Sequence, residues 1–149
     1  MDLQMWKGQT LNPPTKGRKL ILDLCGGTGA WSKPYKEANY DVLVITLPDN
    51  DVADFTPHQA IHGILAAPPC TEFSLAKNNK PRDFNSGMLI VQHCLRIIWI
   101  ARKYHGLKWW ALENPRGFLR QFLGRPAFTF EQWQFGDLGI KPTDIWGYF

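Results

Sequence analysis

Three short stretches of this chain carry residue types whose spacing could do chemistry. The first is Ala66-Ala67-Pro68-Pro69-Cys70-Thr71-Glu72-Phe73-Ser74. It follows an apolar run, Ile61 to Leu65, that reads as a buried strand. Two prolines stop that strand and stiffen the chain, and a cysteine comes directly after. Open α/β sheets bind ligands outside the carboxyl ends of their strands, so Cys70 is a thiol on a rigid turn at the place such folds do chemistry. The alternative is a small apolar residue packed in a tight turn. The second stretch, Asp23-Leu24-Cys25-Gly26-Gly27-Thr28-Gly29, is a glycine-rich turn that lets a ligand approach the backbone closely. Its spacing is neither that of a dinucleotide turn nor that of a phosphate-gripping loop. A cofactor needing backbone approach without a phosphate grip fits better, and S-adenosylmethionine is one; a plain tight turn is the alternative. The third piece is Glu113, at the end of the apolar run Trp109-Trp110-Ala111-Leu112. A carboxyl beside so much apolar surface is expected to titrate high and to hold a proton it can donate to a substrate atom. The alternative there is an ion pair with Arg116.

The elements that must position these residues follow from periodicity. Lys19 to Leu24, Asp41 to Leu47, Ile61 to Ala66 and Lys108 to Leu112 read as buried strands, the last ended by Glu113-Asn114-Pro115. Trp31 to Ala38 reads as a helix with Pro34 in its first turn. Ser86 is placed to cap a helix running to about Tyr104, with apolar stripes at 88, 91, 95, 98 and at 90, 94, 97, 101. Between them, residues 74–86 form a long polar loop of the kind used as a lid. Leu119 to Leu123 reads as a helical turn, and Phe128 to Phe135 and Ile145 to Phe149 as late strands. Residues 1–18 read as a loop-rich lead-in with a helical turn near Met5-Trp6. Strands alternating with helices predict one α/β domain over 1–149, a mostly parallel twisted sheet with helices on both faces.

Composition narrows the class. Three cysteines, odd in number and widely spaced, argue against a disulfide framework and a zinc site, so no metal is expected and a reducing cytoplasm is the expected location. There is no signal-peptide pattern, and the densest apolar patch, Ile97 to Ala101, is too short to span a membrane. The net charge of +4 is uneven: residues 1–76 hold six Lys/Arg against eight Asp/Glu, residues 77–149 eleven against five. That asymmetry suggests that a polyanion meets the C-terminal half.

Taken together and in order, the blocks Asp23 to Gly29, Pro68 to Ser74 and Glu113-Asn114-Pro115 resemble the DNA cytosine-5 methyltransferases, and in particular small phage or prophage members without a target-recognition domain. Pro-Pro-Cys-x-x-Phe-Ser is the most diagnostic of them. The resemblance spans roughly residues 19–115 and implies a Rossmann-like, S-adenosylmethionine-dependent fold. It implies that Cys70 attacks carbon 6 of cytosine, that Glu113 engages ring nitrogen 3 and the exocyclic amine, and that Asn114 braces the nucleophile turn. Carbon 5 then takes the methyl group. Asp23, Leu24, Cys25, Gly26, Gly27, Gly29 and Pro68 are implied to line the cofactor site, with Asp51-Val52 matching the block beside the adenine. DNA is the implied partner, as a duplex with a flipped cytosine or as a single strand. Ser74, Lys77, Lys80, Arg82, Arg116 and Lys141 are the residues expected to meet it, the loop cations closing over an extruded nucleotide.

The chain also departs from the family pattern. Cys25 stands where the family has Phe, and Ile45-Thr46-Leu47 where it has an acid for the ribose hydroxyls. Gly139-Ile140-Lys141-Pro142-Thr143-Asp144 stands where it has a Gln-x-Arg-x-Arg pattern, so Lys141 alone supplies a charge there. The sequence stops before the family's target-recognition region and last cofactor block. The expectation is then slight sequence preference, a partner that supplies recognition, or a substrate that is single-stranded or a free cytosine nucleotide. A catalytically inert relic that binds cofactor or DNA is the reading from a different class.

Overall fold

A computed structural model describes residues 15–136 and 141–149. The helical turn expected near Met5-Trp6, most of the lead-in, and Gly139-Ile140 lie outside the described residues. The elements run β1 (Leu20–Leu24), α1 (Lys33–Glu37), β2 (Asp41–Ile45), β3 (Gly63–Ala66), α2 (Phe84–Tyr104), β4 (Trp109–Pro115), α3 (Leu119–Leu123), β5 (Phe128–Glu131) and β6 (Pro142–Tyr148). The protein is a mixed α/β fold built on one six-stranded, mostly parallel sheet in the order β2-β1-β3-β4-β6-β5. β1 pairs in parallel with β2 and β3, and β3 with β4; β6 runs antiparallel to both β4 and β5. The chain leaves β1 for β2 on one side and returns to β3 on the other. The order therefore reverses between β1 and β3, and a crevice opens beyond their carboxyl ends.

Alternation along the strands sorts the side chains to two faces. Leu20, Leu22, Leu24, Ile64, Ala66, Leu112 and Trp146 pack against α2, whose Val91, Cys94, Ile97, Ile98 and Ala101 are buried. Each large aliphatic side chain removed from water there contributes about 1.5–3 kcal/mol, so this face carries the core. α2 is long and apolar enough to cross a membrane by length and composition. One stripe of it is packed on the sheet, while Leu89 and Trp99 lie exposed on the other side. The opposite face of the sheet carries Ile21, Leu65, Ala111 and Ile145, with Trp31, Tyr35, Tyr40, Val42, Trp109 and Phe130 packed around them. Gly63 makes room there: a Cβ on it would stand 2.2 Å from the Trp109 ring.

Several expectations need correction. Helices on both faces are realised unevenly, because on the second face α1 is only five residues long. The α2 cap is Asp83, whose carboxylate accepts from the Ser86 backbone N–H at 3.0 Å and from its hydroxyl at 2.6 Å. Ser86 therefore serves the cap rather than being it. The two apolar stripes of α2 cover only part of its surface, and Leu89 and Trp99 lie outside them, exposed. β4 does not end at Leu112 but continues through Glu113-Asn114-Pro115. The late strands shift as well: β5 stops at Glu131 and gives way to a 3₁₀ turn, Gln132–Phe135, and β6 begins at Pro142.

Candidate active site

The carboxyl edge of β1, β3 and β4 gathers the three blocks. Leu24 is paired with Ala66, and Ala66 with Leu112, so the residues that follow each of them leave the sheet side by side. The Ala67 N–H donates to the Leu24 carbonyl at 2.9 Å, which extends the β1–β3 ladder one residue into the proline turn. From there the Cys70 carbonyl accepts from the N–H groups of Phe73 and Ser74 at 2.9 and 2.8 Å, closing a tight turn.

That turn is fixed from three directions. Asn114, fully buried at the end of β4, donates its Nδ2 to the Pro68 carbonyl at 2.9 Å. Phe73 is fully buried and packs its ring against Phe84 of α2 and Phe122 of α3. The Phe118 N–H donates to the Phe73 carbonyl at 2.9 Å, and Ser74 bridges to Gly117. A Cβ on Gly117 would lie 2.2 Å from the Phe73 carbonyl oxygen, so the glycine is what lets the strand after β4 close on the turn. Cys70 itself is half-buried.

Glu113 neighbours Asn114 and points to the other face of β4. There it lines a hollow of about 1010 Å³ with Ala67, Ala111, Gln132, Thr143 and several aromatic rings, Trp31, Trp109 and Phe130 among them. Burial pushes its carboxyl above the usual carboxylate range, and the charge of Lys141 pulls partly against that shift. Among the described residues no ion pair joins it to Arg116. Arg116 is exposed, and its charge bears instead on Asp144. Cys70 is not in the lining of the hollow; it stands three residues beyond Ala67, which is.

In the glycine-rich turn the residues divide between cradle and support. The Cys25 N–H donates to the Ile45 carbonyl at 2.7 Å and the Gly27 N–H to the Thr46 hydroxyl at 3.3 Å, so β2 holds the turn from the side. Cys25, Gly27 and Gly29 all have positive φ, at 57°, 55° and 76°. For Cys25 that is a strained backbone, which Gly would adopt freely. Gly26 lies on the Asp23 carboxyl: a Cβ there would meet Asp23 Cγ at 2.3 Å. Asp23 is fully buried, takes the Ser32 hydroxyl on Oδ2 at 2.5 Å, and leaves Oδ1 without a partner. Burial raises its pKa, with the Ser32 bonds opposing. Leu24 and Val52 are core side chains, and Pro68 is buried, offering only its backbone to the braces described. Asp51 accepts from the Ala53 N–H at 2.9 Å, which shapes the loop after β2. The open position is therefore Gly27, with nothing within 4 Å of a Cβ there, while a Cβ on Gly26 would meet Asp23 and one on Gly29 would lie 3.3 Å from Val44. A cofactor that approaches backbone fits this cradle, and the unpartnered Asp23 oxygen lies beneath it.

The loop cations are arranged differently from the expectation. Glu72, a variable position of the motif, accepts from Lys77 Nζ at 2.5 Å and from the Asp83 N–H at 2.7 Å. Its own carbonyl accepts from Arg82 at 2.8 Å, while the Arg82 guanidinium lies over the Phe118 ring. The Lys77 hydrogen bond, ahead of the Asp83 N–H, holds the Glu72 carboxyl below its ordinary range. Lys77 and Arg82 thus pin the loop to the Cys70 turn rather than reaching outward, and Ser74 caps the 3₁₀ turn Leu75–Lys77 through the Ala76 N–H. Lys80 and Lys141 remain exposed. Sequence reasoning missed Glu72, Thr46, Ser32 and the Arg120–Asp144 pair; of these only the i, i+5 spacing of Glu72 and Lys77 left a signal to read. Among the described residues, no group of three His, Cys, Asp or Glu is gathered that could hold a metal ion. No family model matches the chain, and no curated protein matches it either.

Proposed function

We propose that the protein transfers a methyl group from S-adenosylmethionine to carbon 5 of cytosine in DNA, on a Rossmann-like methyltransferase fold, through a covalent bond to Cys70. The observation that carries this reading is the Asn114-to-Pro68 hydrogen bond. It ties the strand end bearing Glu113 to the turn bearing Cys70, the two groups the chemistry needs on one pyrimidine. The sheet-order reversal beside the glycine cradle supports a cofactor placed next to both.

The steps assigned to this chain follow from its groups. The Cys70 thiol gives up its proton to solvent and its sulfur bonds to carbon 6. The displaced electron pair of the ring moves toward nitrogen 3, where the Glu113 carboxyl, held protonated toward higher pH by burial, donates a hydrogen bond or its proton. Carbon 5 is thereby nucleophilic. When bound, S-adenosylmethionine supplies an electrophilic methyl group to it. Return of the nitrogen-3 proton to Glu113, loss of the carbon-5 proton to solvent and cleavage of the sulfur–carbon 6 bond, whose electron pair stays on sulfur, restore the ring and the thiolate, which solvent reprotonates. Asn114 positions the turn, and the charge of Lys141 opposes the upward shift of Glu113. In a duplex the base must first be flipped out, at a cost of a few kcal/mol, which makes a single strand the easier substrate.

The test is incorporation of labelled methyl from the cofactor into duplex DNA, a single strand and free deoxycytidine monophosphate, with Cys70→Ala alongside. Label on cytosine carbon 5 of DNA, abolished in Cys70→Ala, is the expected result. Label on the free nucleotide alone moves the substrate assignment. Cofactor binding with no transfer to any of the three overturns the reading and leaves the relic.

A further inference from the structure

The cations of the C-terminal half are not concentrated at the catalytic edge. Between Phe84 and Leu112 the chain has Arg96, Arg102, Lys103 and Lys108 and no acid at all. Arg96 is used internally, donating to the carbonyls of Val52, Ala53 and Phe55. The other three lie where α2 ends and β4 begins. That is the far edge of the sheet, about 30 Å along α2 from the Phe84 end at the rise of a helix this long.

Exposed aromatic rings stand with them. Trp99 is 57% exposed, Tyr104 63% and Tyr148 62%. Lys103 Nζ lies 4.8 Å from the Trp99 ring centroid and 5.1 Å from that of Tyr104, and Arg102 lies 5.4 Å from that of Tyr148. Trp99 and Tyr104 meet edge to face at 6.3 Å. Lys108 adds its charge at the start of β4, where with Lys19 it reinforces burial in lowering the pKa of His62. Large rings left in water, each beside a cation and with no acid nearby in the chain segment, match a ligand that carries negative charge and π faces at a short, regular spacing. A single nucleic-acid strand is such a ligand: phosphates meet the cations and unstacked bases lie on the rings. A duplex hides its base faces, and an acidic peptide has none.

We propose that this corner, Trp99, Arg102, Lys103, Tyr104, Lys108 and Tyr148, binds single-stranded DNA as a second surface, remote from the Cys70 turn. The surface is argued from its own geometry; the choice of DNA over RNA rests on the methyl-transfer reading. It anchors a strand whose other part reaches the catalytic edge, so binding strength comes from a place that does no chemistry.

The test is fluorescence anisotropy of labelled dT20 with the full chain and no cofactor, so that the absence of methyl transfer cannot affect it. Trp99→Ala and Lys103→Ala are each expected to weaken binding about tenfold, and Lys103→Ala to lower the salt slope by about 0.7. Lys36→Ala on α1, an exposed cation elsewhere, is expected to leave both unchanged. Unaltered affinity in Trp99→Ala and Lys103→Ala, with circular dichroism confirming their fold, overturns the proposal. So does equal affinity for polyglutamate, or capture by phosphatidylserine vesicles that depends on the same two residues. Tighter binding of rU20 than dT20 overturns the assignment to DNA.

Discussion

Replacing Asn114 with Ala separates what holds the Cys70 turn from what merely holds the fold. The side chain is fully buried and gives its Nδ2 to the Pro68 carbonyl at 2.9 Å, while its own Oδ1 has no partner. Removing it leaves that carbonyl without its donor in a buried place, which costs about 1–3 kcal/mol. For a chain of this size, each kcal/mol lowers the melting temperature by about 2–4 °C, so a loss near 2 kcal/mol appears as about 4–8 °C. The larger effect is expected on the rate. A shift of about 1 Å in a reacting group can cost roughly 10²-fold, and the released turn carries Cys70. Methyl transfer, measured under single-turnover conditions, should fall by about that factor. The control is Ile97→Ala, on the α2 side of the core, which costs about 2–5 kcal/mol in stability and should leave the rate within a few fold while the protein remains folded. If Asn114→Ala and Ile97→Ala lose rate in the same proportion to stability, or Asn114→Ala keeps the full rate, the positioning argument is wrong.

Other expectations rest on single contacts. Glu113 is raised by burial, so its unfolded form ionises first: stability is full below the unfolded carboxylate pKa of about 4.3 and declines as pH rises through the higher folded value. Glu113→Gln should remove that decline in urea titrations across pH 4–7 and abolish transfer. Asp144 has the opposite sign. Burial raises it, but Arg120 and Thr129, bonding at 2.5–2.6 Å, outweigh that and hold it low. Its contribution is present above about pH 4 and lost as pH falls through the folded value, so Arg120→Ala, which leaves the Thr129 bond in place, should cost about 1–3 kcal/mol near neutral pH and less in acid. Gly26→Ala, forcing a Cβ to 2.3 Å from Asp23 Cγ, should displace the cradle and weaken cofactor binding, measured by calorimetry, more than it lowers the melting temperature. Glu72→Gln should free the 77–83 loop, read as faster tryptic cleavage after Lys77 and Arg82.

The strands were legible wherever burial was total. Leu20 to Leu24 and Gly63 to Ala66 sit between two covered faces, so they read as apolar runs, interrupted in β1 by Asp23 alone. β4 was misjudged at its end because Glu113-Asn114-Pro115 looks like a terminator. Each residue there is accommodated by something distant in sequence: the hollow beside Glu113, the Pro68 carbonyl, and pairing with Thr143 on β6. β6 hid its start for the same reason, since Asp144 is buried only because Arg120 of α3 reaches it. The blocks of the candidate site were legible as types and spacings. Their division of labour was not: that Leu24 faces the core, that Asp23 supports the cradle from beneath, and that Lys77 and Arg82 bind Glu72 follow from tertiary contacts that no local pattern encodes.

The most direct measurement is the intact mass of the protein after incubation with cofactor and an oligonucleotide in which 5-fluorocytosine replaces cytosine. Fluorine at carbon 5 cannot leave as the proton does, so the sulfur–carbon 6 bond should persist. The account predicts a denaturation-resistant species heavier by one methylated oligonucleotide, mapped to Cys70 and absent in Cys70→Ala. A protein that binds the cofactor and the oligonucleotide yet stays at its own mass, or an adduct that maps to Cys25 or Cys94, would contradict it.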